Sequence, residues 1–140
     1  MNILLAVDGS PYTERVLAHL AAHEEWLNPR HHYTVLHAVM AVPPRATAVL
    51  DPQVLHEYYD DEAQHVFEPI RRFMAQHQLN ATFVHKVGHA ADLIATTARQ
   101  EHADLLIMGS HGHGSLGNLI LGSVATKVMA HCETPVLLVR

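Results

Sequence analysis

Five strand-like segments alternate with four helix-like segments, and this alternation predicts an α/β fold with helices on both faces of a parallel sheet. The strand-like segments are short apolar runs, and apolar residues recur at helical spacing between them. Residues 3–7 and 136–139 are continuously apolar, as expected for strands buried on both faces. With 140 residues, the chain is expected to form one domain over residues 1–140 with a substantial core.

The first strand and the first helix carry clear local signals. The strand covers residues 2–7 and is followed by Asp8. Ser10 can cap a helix, and Pro11 suits its first turn, where a missing N–H is harmless. The helical pattern that follows is expected to stop near Pro29.

The second strand and helix repeat this arrangement after a longer connection. Residues 33–40 predict the strand, and Asp51 with Pro52 gives another cap followed by proline. Pro69 falls inside the helical pattern that follows. Because proline lacks an N–H and clashes with the preceding turn, we expect a kink or break there.

Three further strands are predicted at residues 81–87, 104–108 and 135–139. A short helix with Ile94 on its apolar face joins the first two, and a helix over residues 124–130 joins the last two.

The ends of these strands predict the position of a site. In parallel sheets of this kind, ligands bind beyond the carboxyl ends of the strands, where the strand order reverses. Asp8, Val39 and Gly109 stand at such ends. We therefore expect them to meet in one crevice.

Composition excludes several classes of protein. Hydrophobic residues make up 49% of the chain and charged residues 16%, which is typical of a globular protein. The formal charge of −5, without a basic stripe, argues against nucleic-acid binding. No apolar run is long enough to cross a bilayer or to form a signal-peptide core. The single cysteine, Cys132, excludes an internal disulfide, so we expect a cytoplasmic protein.

A glycine-rich segment, residues 109–123, lies between the fourth strand and the last helix and predicts phosphate binding. Glycine lets the backbone approach a ligand, and free N–H groups at a helix start favour an anion. The spacing Gly109-x2-Gly112-x9-Gly122-Ser123 strengthens this prediction, because Ser123 can cap the helix and also donate its hydroxyl to a phosphate. A β-branched residue at Gly122 is expected to block the phosphates and leave the fold largely intact.

The same spacing matches the Gly-x2-Gly-x9-Gly-(Ser/Thr) pattern of the ATP-binding universal stress proteins, which the sequence resembles along its whole length. Residues 3–10, 106–112 and 134–139 also resemble segments of that family. The resemblance implies the strand order 3-2-1-4-5, a doubly wound sheet, and ATP, or AMP or ADP, in the crevice.

Carried over residue by residue, the resemblance assigns most of the nucleotide contacts. Asp8 would lie near the ribose and phosphates, and Val39 would present its backbone to the adenine edge. Met108 and Gly109 would line the nucleotide bed. The residues implied to bind the phosphates, through backbone N–H groups and the serine hydroxyl, are Gly112, Gly122, Ser123 and Val124.

Purely structural roles compete with these assignments. Asp8 could instead accept hydrogen bonds from the N–H groups of the following helix. Val39 and Met108 are equally compatible with an ordinary core. Gly114 and Gly117 are interpreted as loop flexibility.

Charge and metal ions bear on how a phosphate could be held. No lysine or arginine lies between Gly109 and Ser123. Backbone dipoles, and Mg²⁺ or Mn²⁺ bound with the phosphates, must therefore offset the charge of a triphosphate. Lys127 is interpreted as a solvated helix-surface residue.

The chain contains 14 histidines, which raises the question of a metal or pH-dependent role. The tight clusters, His31 with His32 and His111 with His113, lack the cysteine or carboxylate companions of a zinc site. His111 and His113 lie within the glycine-rich segment, so His111 is included in the predicted nucleotide site. Their protonation near pH 6–7 would add positive charge there and tighten nucleotide binding as the pH falls.

Three functions remain open at this point. The favoured one is a dimeric nucleotide-binding signalling module with slow or no hydrolysis, because no catalytic lysine or arginine finger is evident. The alternatives are a metal-dependent nucleotide hydrolase using the same crevice and a nucleotide-free dimeric scaffold. A dimer is expected through Val136–Val139, since pairing two edge strands hides their unpaired backbone groups. A protein partner is also expected but not identified.

Overall fold

The computed structural model of the chain describes residues 1–114 and 119–140. Gly117, interpreted above as loop flexibility, lies outside these residues. In chain order the elements are β1 (Asn2–Val7), α1 (Pro11–Ala22), β2 (His32–Val39), α2 (Pro44–Thr47), α3 (Pro52–Gln76), β3 (Ala81–Val87), α4 (Ala90–Gln100), β4 (Leu105–Gly109), α5 (Ser123–His131) and β5 (Val136–Val139).

The five strands form one parallel sheet in the order β3-β2-β1-β4-β5. This confirms the α/β class and the strand order. In the central strand, Leu5 is paired with Val35 on one side and with Ile107 on the other. The order reverses at β1, so the carboxyl ends of β1, β2 and β4 border the expected crevice.

Two hydrophobic clusters, one on each face of the sheet, hold the layers together. Helices α1 and α3 cover one face, where Leu5 and Phe67 are buried. Helices α4 and α5 cover the other, where Leu4 and Val128 are buried. Because successive residues of β1 point to opposite faces and both faces are covered, the strand is continuously apolar.

Both predicted capping signals are present in the structure. The Oγ of Ser10 accepts a hydrogen bond from the N–H of Tyr12 at 3.3 Å, and Pro11 is the first residue of α1. Asp51 caps α3 in the same way, since its Oδ1 accepts the N–H of Gln53 at 2.7 Å.

The expected end of the first helix was wrong, and one short helix was not predicted. Helix α1 ends at Ala22, well before Pro29, because His23 has an extended backbone with φ of −134°. The apolar residues that suggested a longer helix, Trp26 and Leu27, pack against the core from the following turn instead. The connection after β2 also contains the short helix α2, which the pattern did not predict.

Pro69 does not break α3, which continues over 25 residues. Proline removes the hydrogen bond that residue 69 would donate to the carbonyl of His65. Both residues are exposed, so water can satisfy that carbonyl at the surface.

No helix in the described ranges has both the length and the apolar character needed to span a membrane.

Candidate functional site

A cavity of about 470 Å³ lies beyond the carboxyl ends of β1, β2 and β4. The start of α1 and the glycine-rich segment border it on one side, and α4 and the start of α5 on the other. Its size is within the range of small-molecule sites, and it is located at the reversal of strand order, where such sites are expected.

The structure brings eight of the nine predicted site residues to this cavity. They are Asp8, Met108, Gly109, His111, Gly112, Gly122, Ser123 and Val124. They come from β1, β4, the glycine-rich segment and α5, so the topology of the sheet assembles residues that are far apart in sequence.

Val39 is not brought to the cavity with the others. Its side chain is 3% exposed and packs in the core on the α1 and α3 face. Its carbonyl accepts the N–H of Gly88 at 3.0 Å. The neighbouring residues His37, Ala38 and Met40 line the cavity instead.

Sequence reasoning missed several residues that line the cavity. Some carried a usable signal, because Tyr12 and Thr13 follow Asp8 closely, and Ala90 and Ile94 share one face of the helix after β3. Met40 and Glu62 had no such signal, since their position depends on how the long connection and α3 are placed. Residues missed in this way include Tyr12, Thr13, Leu36, His37, Ala38, Met40, Glu62, Ala90 and Ile94.

The cavity combines an apolar lining with polar groups. The strands and α4 contribute apolar side chains, including those of Leu36, Met108 and Ile94. The glycine-rich segment and the helix starts contribute polar ones, including Asp8 and Ser123. The cavity therefore suits a ligand with a flat apolar part and a charged or polar part.

Asp8 connects β1 to α1 and to the glycine-rich segment. Its Oδ1 accepts hydrogen bonds from the N–H of Ser10 at 2.9 Å and from the Oγ1 of Thr13 at 3.1 Å. Its Oδ2 accepts the N–H of His113 at 3.3 Å, while the His113 Nε2 contacts the Asp8 carbonyl at 2.8 Å. The structural role considered for Asp8 is therefore present in the structure.

The pKa of the Asp8 carboxyl is lowered from its ordinary value of 3.8. Burial alone would raise it, but the hydrogen bonds from Ser10 and Thr13, together with the charge of His113, outweigh burial. A lowered folded-state pKa means that this carboxylate stabilises the fold above the unfolded-state pKa. That contribution is lost as the pH falls below about 4.

We expect Asp8→Asn to lower the free energy of unfolding by about 1–2 kcal/mol at neutral pH, because the new amide N–H₂ would face the N–H of His113. The difference from the wild type should shrink as the pH falls below about 4, since the wild type then loses the contribution of its carboxylate. Urea unfolding over a pH series measures both effects. Asp61→Asn, at an exposed site on α3, is the matched control and should leave the stability unchanged.

Hydrogen bonds fasten the two ends of the glycine-rich segment to each other. The N–H of Gly122 donates to the carbonyl of Ser110 at 2.8 Å. The His111 ring contacts the Ser110 Oγ through Nδ1 at 2.9 Å and the Leu119 carbonyl through Nε2 at 2.8 Å. His111 therefore lines the cavity and also supports the segment.

Close contacts with neighbouring protein atoms require glycine at three positions of the glycine-rich segment. A Cβ at Gly109 would lie 2.6 Å from the Cβ of Tyr12, and one at Gly112 would collide with the Asp8 carboxylate. A Cβ at Gly122 would lie 3.0 Å from the His111 Cα and from the Ser110 carbonyl oxygen. A β-branched residue at Gly122 would therefore crowd backbone atoms, so we expect it to lower the stability of the fold as well as to block a phosphate.

The start of α5 differs from the prediction in one respect. Gly122 is the N-cap and Ser123 the first helical residue, so Ser123 does not cap the helix. The N–H of Gly122 is already bonded to Ser110. The N–H groups of Ser123 and Val124 follow in the first turn, where a helix has no preceding carbonyls to accept them, and both residues line the cavity.

Among the described residues, no lysine or arginine lines the cavity, whereas the carboxylates of Asp8 and Glu62 do. The guanidinium of Arg15 lies 4.6 Å from the centre of the Tyr12 ring, which lines the cavity. The Tyr12 ring in turn lies 5.2 Å from that of His111. Lys127 is exposed on α5, as interpreted from the sequence.

A second, smaller cavity of about 300 Å³ lies at the opposite end of the sheet, near the start of β1 and β2. Ligands of doubly wound sheets bind at the carboxyl ends of the strands, so the larger cavity is the better candidate.

The fold and the larger cavity define a doubly wound α/β domain with a ligand-sized cleft at its switch point. Comparison with known proteins identifies the family, since the model of the universal stress protein family matches residues 1–140. The chain belongs to the universal stress protein family, as the resemblance in sequence indicated.

Individual relatives agree with this membership. The chain is 33% identical over 139 residues to a universal stress protein of Thermus aquaticus, covering 99% of this chain and 98% of that protein. The solved structure of protein MJ0577, from Methanocaldococcus jannaschii, superposes with a TM-score of 0.78 at 25% identity, over 99% of this chain and 94% of that one. A universal stress protein of Archaeoglobus fulgidus, solved in complex with dAMP, gives a TM-score of 0.71 at 21% identity, over 100% and 98%.

Proposed function

We propose that this protein binds an adenine nucleotide, ATP or AMP/ADP, in the larger cavity and acts as a nucleotide-dependent signalling module. The observation that carries the proposal is the layout of the cavity, in which an apolar lining leads to the first turn of α5. Adenine fits the apolar lining, and the N–H groups and hydroxyl at Ser123 and Val124 fit a phosphate. The dAMP complex of the Archaeoglobus fulgidus protein supports the same ligand class.

In this proposal the phosphates are neutralised without a cationic side chain from the cavity lining. A divalent ion, Mg²⁺ or Mn²⁺, would bind together with the phosphates, since Mg²⁺ commonly uses one or two carboxylates plus substrate phosphates. Asp8 is the carboxylate best placed for that role, although its oxygens already accept hydrogen bonds. Within the described ranges, no group of three histidine, cysteine, aspartate or glutamate side chains forms a metal site independent of the nucleotide.

Calorimetric titration with AMP, ATP and adenosine tests the proposal. We expect saturable binding of the nucleotides at one site, weaker binding of adenosine, and tighter binding of ATP when Mg²⁺ is present. Absence of heat and of thermal stabilisation with all three ligands would refute nucleotide binding.

A metal-dependent nucleotide hydrolase remains the rival proposal for the same cavity. Fast phosphoryl transfer needs a group that stabilises charge on the transferred phosphate, commonly lysine or arginine with a metal. The described lining of the cavity offers neither cation. We therefore propose slow or no hydrolysis, and phosphate release that repeats faster than nucleotide exchange would favour the rival.

We also propose that the signalling form is a cytoplasmic homodimer paired through β5. Three of the four β5 side chains are only partly buried, and β5 is an edge of the sheet. Pairing across a two-fold axis would cover this edge. Light scattering should give twice the 15.5 kDa mass of the chain at micromolar concentration, and a monomer mass would contradict the dimer.

A further inference from the structure

The N-terminal part of α3 is largely exposed, with Tyr59 partly buried against the core. The first buried residue of this helix is Ala63, so the eleven residues Pro52–Glu62 make three turns with no buried member. At a rise of about 1.5 Å per residue, this part of the helix is about 16 Å long. The Tyr59 hydroxyl fastens the preceding connection to it by accepting the N–H of Val42 at 2.9 Å.

This part of α3 carries apolar side chains in water. Val54 is 52% exposed and Tyr58 is 53% exposed, and they are four residues apart, so they lie on one face. The turn just before α3 exposes two more apolar residues, with Val49 at 84% and Leu50 at 39%. Contiguous exposed apolar side chains on a folded protein mark interaction surfaces.

Carboxylates surround these apolar residues. Residues 46–70 contain six acidic residues and no lysine or arginine, so the acidity of the whole chain, with its net charge of −5, is concentrated here. Glu57 lies three residues after Val54, and Asp61 three residues after Tyr58, so both adjoin the apolar face. The described ion pair on this helix joins Glu68 and Arg72 at 3.8 Å, further along the helix.

We propose that this surface, formed by Val49, Leu50, Val54, Glu57, Tyr58 and Asp61, binds a basic amphipathic helix of a partner protein. The apolar side chains of such a helix would cover Val54 and Tyr58, and its lysines or arginines would face Glu57 and Asp61. A second copy of this chain would bring like charges together, and the headgroups of an anionic membrane would also be repelled.

The surface also adjoins the larger cavity, since Met40 and Glu62 line that cavity from the same connection and helix. Binding of a basic helix does not require the nucleotide. The experiment is therefore run without nucleotide, so that its failure leaves the proposed function untouched.

The probe is a fluorescent peptide of about 18 residues in which leucines at helical spacing form one face and lysines the other. Anisotropy titrations compare the wild type with Glu57→Lys/Asp61→Lys and with Tyr58→Ala. We expect each variant to weaken binding about tenfold, the first by charge repulsion and the second by loss of an aromatic anchor. The charge-reversal effect should decrease as salt rises from about 50 mM to about 300 mM.

A matched variant, Glu24→Lys/Glu101→Lys, changes the net charge equally at exposed sites away from α3 and should bind as the wild type does. A scrambled peptide of the same composition should bind more weakly, and circular dichroism verifies that each variant is folded. Equal losses in both charge-reversal variants, equal binding of the scrambled peptide, or binding to lipid vesicles in place of the peptide would overturn the proposal.

Discussion

Replacing Ser123 by aspartate is expected to lower AMP affinity by about 100-fold or more. A carboxylate about 4 Å from the phosphate adds a repulsion of about 4 kcal/mol at an effective dielectric constant of about 20. The same carboxylate would lie in the first turn of α5, where a negative charge interacts favourably with the helix dipole. The free energy of unfolding should therefore be unchanged or raised by less than about 1 kcal/mol. Calorimetric titration and urea unfolding measure the two effects separately.

Two comparisons make the result specific. Adenosine has no phosphate, so its affinity for Ser123→Asp should remain within about twofold of that for the wild type, a difference worth about 0.4 kcal/mol. Asn80→Asp adds the same charge before β3, at the other end of the sheet, and should leave AMP affinity unchanged. If Ser123→Asp bound AMP as tightly as the wild type, the phosphate could not lie at the start of α5.

Replacing Gly109 by alanine is expected to destabilise the fold by about 1–3 kcal/mol, which is the range for overpacked sites. The added Cβ would lie 2.6 Å from the Cβ of Tyr12 and 3.1 Å from the His111 carbonyl oxygen. Either α1 or the glycine-rich segment must move to relieve these contacts. Urea unfolding measures the loss, and nucleotide affinity should fall with it because Tyr12 and His111 both line the cavity.

Gly114 offers the matched glycine control. Its φ is +73°, and no described atom lies within 4 Å of the Cβ position. Asparagine tolerates this left-handed conformation, so Gly114→Asn should change the stability by less than about 0.5 kcal/mol. Equal destabilisation by the two substitutions would contradict crowding against Tyr12 as the cause at Gly109.

Much of the fold could be predicted from the sequence because its signals are local. The two capping residues that precede prolines, Ser10 and Asp51, mark helix starts that the structure reproduces. The run at residues 3–7 identified a strand covered on both faces. The end of α1 could not be predicted, because Trp26 belongs to the core without belonging to the helix.

The site was less predictable because its geometry depends on the tertiary structure. Val39 and Ala38 are adjacent in sequence, yet Ala38 lines the cavity whereas the side chain of Val39 packs in the core. The predicted glycines line the cavity, but their close neighbours are Tyr12, Asp8 and the backbone at residues 110 and 111. Only the assembled structure shows which atoms a glycine has to accommodate.

The contact between Asp8 and His113 joins two parts of the chain that are 105 residues apart. A cleft built from such distant segments exists only when the whole sheet has formed. A molecule bound there would therefore stabilise the completely folded chain relative to every partly folded one. Occupancy would then raise the free energy of unfolding with the logarithm of the free nucleotide concentration, which would lower the fraction of chains open to proteolysis. The lifetime of the protein in a cell would in that way follow the adenylate pool.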